Sequence, residues 1–205
     1  MNEFERLEGL MRRLPAILAW LSLTLGPTFA AAQWSVSAEL GVARFAGTSR
    51  DSAGATVGPY RPTTLGLRLE RGSGRARVAV CLLYGETGLV AEGQGVAVVQ
   101  RGIGSLWEIA PELSLRVARF GTGVEARVAA GPAIDLWNFD GEQRSRVGGH
   151  VAAVVEWPLA RALSGALRVS GVLTESVFDA GDTPSGVERR ATRRLGVALG
   201  LRYQL

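Results

Sequence analysis

The chain has 205 residues, 23 of them basic and 19 acidic, for a formal net charge of +4; every basic residue is arginine. Charged residues make up 20% and apolar residues 47%, a balance that excludes general disorder. The single cysteine, Cys81, excludes an internal disulfide and a CxxC metal site, and the single histidine, His150, excludes a multi-histidine metal site.

Residues 1–10 carry Glu3, Glu5 and Glu8, acids that do not belong in a secretion leader. Met11 is followed by Arg12 and Arg13, then by the apolar stretch Leu14 to Leu25, the breakers Gly26 and Pro27, and Ala30-Ala31-Ala32. Basic, apolar and small residues in that order predict a signal peptide. Translation is therefore expected to start at Met11, with cleavage after Ala32 leaving a domain over 33–205. The apolar run falls short of the roughly 20 residues a spanning helix needs. Removing the leader takes away three arginines and three glutamates, so the exported domain keeps a charge of +4. It contains no basic run interleaved with aromatics, and nucleic acid is not expected as a partner.

From Gln33 onward the apolar residues recur with period two, never with the helical period. Trp34, Val36, Ala38, Leu40 and Val42 alternate with Ser35, Ser37, Glu39 and Gly41. Leu65, Leu67 and Leu69 alternate with Gly66, Arg68 and Glu70, and Val78, Val80, Leu82 and Tyr84 with Arg77, Ala79 and Cys81. The pattern continues to Leu195, Val197, Leu199, Leu201, Tyr203 and Leu205. Eight strands are predicted, over 34–45, 61–71, 75–85, 103–118, 123–138, 147–158, 164–177 and 191–205. Gly131 and Pro132 suggest a bulge or bend in the fifth. Short turns (71–74, 119–123, 159–163) alternate with longer connections (46–60, 86–102, 178–190), with 138–146 intermediate. Val96 and Val98 also alternate, so an earlier start of the fourth strand is the alternative, with the hairpin then projecting past the membrane.

Strands this long, joined by short turns at one end and longer loops at the other, fit a closed barrel that crosses a membrane. Eight strands leave an interior just filled by side chains, so the apolar face must meet lipid. Trp34, Trp157 and Tyr203 then fall near the short-turn end, and Phe45, Tyr84, Trp107 and Phe178 near the long-loop end, as two interfacial girdles.

On these residues the chain resembles the small OmpA/OmpX-type outer-membrane barrels, over essentially all of Gln33–Leu205. The resemblance implies an all-β, eight-stranded antiparallel up-and-down transmembrane β-barrel in the outer membrane, surrounded by membrane lipid and lipopolysaccharide and acting as a monomer. Leu195 to Leu205 resembles the terminal strand read by the barrel-insertion machinery, with Tyr203 at the aromatic position; Leu205 departs from the usual terminal Phe. A soluble lipocalin-like barrel has the same alternation with the apolar face turned inward, and alternation alone does not separate the two.

With the apolar face outward, the inward set is charged: Glu39, Glu70, Glu108, Glu112, Glu125, Asp135 and Glu156 against Arg68, Arg77, Arg116, Arg127, Arg168 and Arg202. Buried charges must be paired, and the arginine fork suits carboxylates. An interior Arg–carboxylate network that plugs the lumen is expected, with a wet pore as its competitor. Some barrels of the resembled class are lipid A deacylases or palmitoyltransferases that use His, Ser and an acid near the outer rim. Here Ala152 stands where the deacylase has Ser, and His150 has inward parity; Asp135 and Ser176 lie toward the same rim. No catalytic residue, metal or cofactor is implied. Cys81 is expected as a packed inward thiol. Arg50, Asp51, Asp140, Glu142, Arg144, Arg146, Asp179, Asp182, Glu188, Arg189 and Arg190 are expected as loop charges, solvated or binding lipopolysaccharide phosphate or a surface partner. The reading is a non-enzymatic barrel with a structural or surface-interaction role. A lipid-A-modifying enzyme and a narrow channel for small apolar molecules are the alternatives.

Overall fold

Alternating side chains make each strand two-faced, and in the computed structural model eight such strands close on one another. The structure describes residues 33–46, 49–50, 56–59, 62–72, 74–93, 96–139, 141–177 and 190–205. The strands are β1 (Trp34–Ala46), β2 (Ser49–Arg50), β3 (Thr56–Pro59), β4 (Thr63–Arg71), β5 (Ala76–Gly93), β6 (Val96–Phe120), β7 (Val124–Phe139), β8 (Glu142–Pro158), β9 (Leu163–Thr174) and β10 (Thr192–Gln204). Strands β1 and β4 to β10 pair antiparallel in chain order, and β10 returns to β1. The short β2 and β3 extend the edge of β5 beyond the barrel.

The register fixes the tilt. One circuit of paired neighbours runs from Arg44 through Leu195, Gly171, Val151, Ala130, Leu113, Val78 and Arg71, and ends at Trp34. It returns to β1 ten residues below its start. That shear tilts the strands and sets a narrow lumen.

The barrel is polar inside and apolar outside. Leu40 and Leu199 are 59% and 61% exposed, whereas Glu70 and Asp135 are 1% and 2% exposed. A water-soluble barrel has the reverse polarity, so the lipocalin-like alternative falls. A closed ladder that leaves no backbone edge, sheathed in Val and Leu, is what hydrocarbon demands of a β-structure. The outward Tyr84 and Trp107 pair across β5 and β6, with ring centroids 4.8 Å apart, toward the long-loop end. Trp34 and Tyr203 project outward at the other end, where the Arg71 guanidinium lies 5.4 Å from the centre of the Trp34 ring.

Four details differ from the sequence reading. Phe45 shares the inward parity of Ser35 and Ser37 and is buried at 8% exposure, so it is no girdle residue. Residues 86–93, expected in a long connection, belong to β5, and β6 begins at Val96, the earlier start that Val96 and Val98 suggested, with a register shift between Thr87 and Leu89. Likewise β7 runs to Phe139 and β8 begins at Glu142, with Gly141 before it at φ +86°, a conformation that disfavours a side chain. Over 86–102 polar and apolar residues both fall on both parities, so period two fades from the sequence there. Finally, no bulge marks Gly131–Pro132. The β6–β7 register is the same at Ile109↔Ile134 and Leu113↔Ala130, and between these pairs the ladder is interrupted where both strands carry a proline that has no N–H to give. The register shift in this pair lies between Arg116 and Ala118. Phe178, the side chain of Arg50, and Asp51, Asp140, Asp179, Asp182, Glu188 and Arg189 lie outside the described residues, as do residues 1–32.

Candidate functional site: the charged lumen

All thirteen charges expected inside project into the lumen, stacked in layers. Nearest the short turns, Arg77 from β5 donates from Nη1 to Glu70 Oε1 at 3.0 Å and to Glu156 Oε2 at 2.9 Å. Its Nη2 lies 3.4 Å from Glu125 Oε2. Arg202 from β10 reaches the same carboxylates: Nε is 3.2 Å from Glu70 Oε1 and donates to Ser35 Oγ at 3.0 Å, while Nη1 is 3.6 Å from Glu156 Oε2. Arg127 donates to Ser114 Oγ at 3.1 Å, to Glu125 Oε2 at 3.1 Å and to the Arg75 carbonyl at 3.2 Å. Arg116, closer to the mouth, donates to Glu125 Oε1 at 2.8 Å.

Arg68 joins this layer to the next. Its Nη2 sits 3.1 Å from Glu70 Oε2 and 2.7 Å from Glu112 Oε1. Glu112 is the node of the middle layer. Its Oε2 accepts from Arg168 Nη2 at 2.5 Å and lies 3.5 Å from His150 Nδ1, while its Oε1 faces Cys81 Sγ at 3.3 Å. Arg168 also approaches Glu39 Oε2 at 4.0 Å. His150 Nε2 lies 3.4 Å from Arg168 Nη2, so it accepts there and the ring proton belongs on Nδ1, facing Glu112. His150 and Cys81 are thus members of the network. Ser176, at the end of the segment after β9, meets Arg146 through its backbone carbonyl.

Toward the long loops the chemistry changes. Arg194 of β10 pairs with Glu108 of β6, and Thr174 Oγ1 donates to Asp135 Oδ2 at 3.4 Å. Above them Phe45, Leu106, Trp137 and Val177 pack into an apolar cluster, with the Phe45 and Trp137 rings 5.4 Å apart and inclined at 60°. Arg144 and Arg146, expected as solvated loop charges, instead bind backbone carbonyls of this cap: Arg146 donates to Ser176 and Val177, and Arg144 to Val177. Arg144 also pairs with Glu142 at 2.6 Å.

The sequence reading missed Arg194 and the cap. The signal for both was present, since Arg194 shares the parity of Arg202, Leu106 that of Glu108, and Trp137 that of Asp135. Arg194 raises the inward set to seven arginines against seven carboxylates, and each of the seven arginines has a carboxylate within 4.0 Å. The middle of the lumen retains a cavity of about 40 Å³ beside Arg68, Cys81, His150 and Arg168, space for one or two waters. At the short-turn mouth a polar recess of about 490 Å³ opens outward past Arg116, Arg119 and Gln204.

No family model and no curated protein matches the chain. Its fold is similar to that of Neisserial surface protein A at 12% sequence identity, with a TM-score of 0.55 over 85% of this chain and 99% of that one. It is also similar to the outer membrane protein OprG from Pseudomonas aeruginosa, at 10% identity and a TM-score of 0.53, covering 85% of this chain and 96% of that one. The fold is therefore that of the small eight-stranded outer-membrane barrels.

Proposed function

We propose that this chain is an outer-membrane barrel with a structural or surface-interaction role, that its lumen is closed to solutes, and that it catalyses no reaction. On this reading residues 1–32 direct export, the short turns face the periplasm, and the long β5–β6 hairpin stands at the cell surface. The observation that carries it is the inverted polarity: a balanced set of paired arginines and carboxylates within, and an apolar sheath without. Arg77 and Glu112 cross-link strands on different sides of the lumen, and the apolar cap seals the other end, which supports closure. His150 is held between Arg168 and Glu112 at 4% exposure, which supports a structural role for it.

The test is the gel mobility of the full chain recovered from outer-membrane fractions, unboiled against boiled, followed by insertion into planar bilayers. A mobility shift on boiling and silent bilayers are expected. A soluble protein without the shift would sink the membrane assignment, and stepwise conductance would sink the closed lumen.

A further inference from the structure

The outer wall carries a feature that the lumen does not explain. On β1 the outward residues run Val36, Ala38, Leu40 and Val42, and the next is Arg44; on β10 they run Leu201, Leu199, Val197 and Leu195, and the next is Arg193. Arg44 stands opposite Leu195 and Arg193 opposite Ala46, so the two arginines are diagonal neighbours on one face, about 7–8 Å apart between Cα atoms and somewhat closer between Cβ atoms. Both are exposed, and neither has an ion pair or side-chain hydrogen bond among the described residues. Glu175 lies one outward step beyond Leu173 and pairs with neither. Two unneutralised cations of like sign at the upper edge of an apolar band are unfavourable unless an anion joins them.

Beside the pair the wall is notched. At the same level the outward residues of β8 and β9 are Gly149 and Gly171, while Val151, Leu173 and Leu195 surround them. A Cβ on Gly149 would meet nothing within 4 Å, and one on Gly171 only Val151 at 3.6 Å and Leu195 at 3.7 Å. The missing side chains leave an apolar groove of about 910 Å³ that ends at Arg44 and Arg193.

We propose that this groove binds a phosphorylated lipid of the outer leaflet, of the lipid A class, with an acyl chain on the glycine floor and a phosphate between the Arg44 and Arg193 guanidiniums. Two forks present several N–H donors to one anion, which suits a phosphate with three free oxygens better than a single carboxylate. Their position at the end of the apolar band is the headgroup level, where a lipid phosphate lies. This inference rests on the proposed orientation, with the long hairpin at the cell surface.

The test uses the full chain purified from outer membranes, with lipid A as probe and native mass spectrometry as readout. Lipid A is expected to remain bound to the wild-type barrel. Arg44→Gln with Arg193→Gln should lower the bound fraction about tenfold or more, through loss of two charge-assisted contacts. Gly171→Leu, which fills the groove and keeps both charges, should also lower it. The boiling shift of each variant reports that it is folded. Bound lipid unchanged in both variants, or a folded wild type that carries none, would overturn the site and leave the barrel reading standing. Displacement by millimolar inorganic phosphate would overturn the acyl groove, because a site for phosphate alone needs no chain. Loss of the boiling shift in the wild type would instead bring down the reading on which the site rests.

Discussion

The two ends of this lumen bury the same inward parity by different chemistry. At the short-turn end and in the middle, the wall points Glu70, Arg77, Glu112, Glu125, Arg127, Glu156, Arg168 and Arg202 at one another, and most of these charges touch two or more partners. At the long-loop end the Arg194–Glu108 pair stands below an apolar cap of Phe45, Leu106, Trp137 and Val177. A guanidinium stays charged in a protein, so each lumenal arginine must keep a carboxylate. The shared carboxylates therefore hold several strands at once. The cap is non-directional: it gains by excluding water, roughly 25 cal/mol for each Å² of apolar surface buried, and no single contact in it fixes a register. The contrast gives the ionic end the greater sensitivity to loss of one group.

Glu112→Ala is the most damaging change expected. It removes the carboxylate shared by Arg68 and Arg168 and leaves two guanidiniums facing across a narrow lumen, with Cys81 and His150 beside them. Breaking a buried pair at one partner costs about 3–5 kcal/mol, and this node serves two arginines. The urea midpoint of the barrel in detergent, read by the boiling shift, should fall sharply. An unchanged midpoint would mean that water neutralises the middle layer and that the network contributes little.

Trp137→Ala tests the other end. Removing a buried tryptophan from a core costs about 3–5 kcal/mol where the cavity stays dry. Here the cap borders the aqueous loops, so water can enter the space and the cost should fall at or below the lower bound. Bilayer conductance should stay silent in this variant, because the Arg77 and Glu112 layers still close the lumen beneath. Conductance appearing in Trp137→Ala would assign closure to the cap and reverse the comparison.

The barrel was legible because its parity is strict wherever lipid lies outside: from Trp34 to Val42 and from Leu195 to Tyr203 each outward residue is apolar or aromatic. The thirteen inward charges followed from that parity without any knowledge of partners. Which arginine meets which carboxylate was not legible, because the shear of ten residues brings distant strands to one level; Arg77 meets Glu156 across 79 residues of sequence. The cap was less legible because an aromatic near a strand end reads equally as interfacial or lumenal; only parity, which Phe45 shares with Ser35 and Trp137 with Asp135, separates the two. The extended β5–β6 hairpin was legible in part: Val96 and Val98 pointed to an earlier start of the fourth strand, whereas the continuation of β5 to Gly93 carried no such signal. Val96 to Gln100 pairs with Gly93 to Leu89 in register, over residues in which apolar and polar types do not alternate strictly.

The smallest effect expected separates pairing from packing at the long-loop end. Glu108→Leu alone leaves Arg194 buried without its carboxylate and should cost several times the double change. Glu108→Leu together with Arg194→Leu removes both charges and extends the apolar cap downward toward Ala110 and Ala133, which are fully buried. Replacing both partners of a buried pair by apolar residues is often neutral or stabilising, by up to about 1–4 kcal/mol. The double variant should therefore unfold within about 1 kcal/mol of the wild type in urea, with Asp135 still accepting from Thr174. A double variant as unstable as the single one would show that Arg194 also neutralises Asp135, and that the long-loop end is a charge network of the same kind as the other. If the double variant holds, Arg194–Glu108 is a detachable pair set under an apolar plug, whereas Glu112 is shared by Arg68 and Arg168, so removing it with either one leaves the other to its second carboxylate, Glu70 or Glu39.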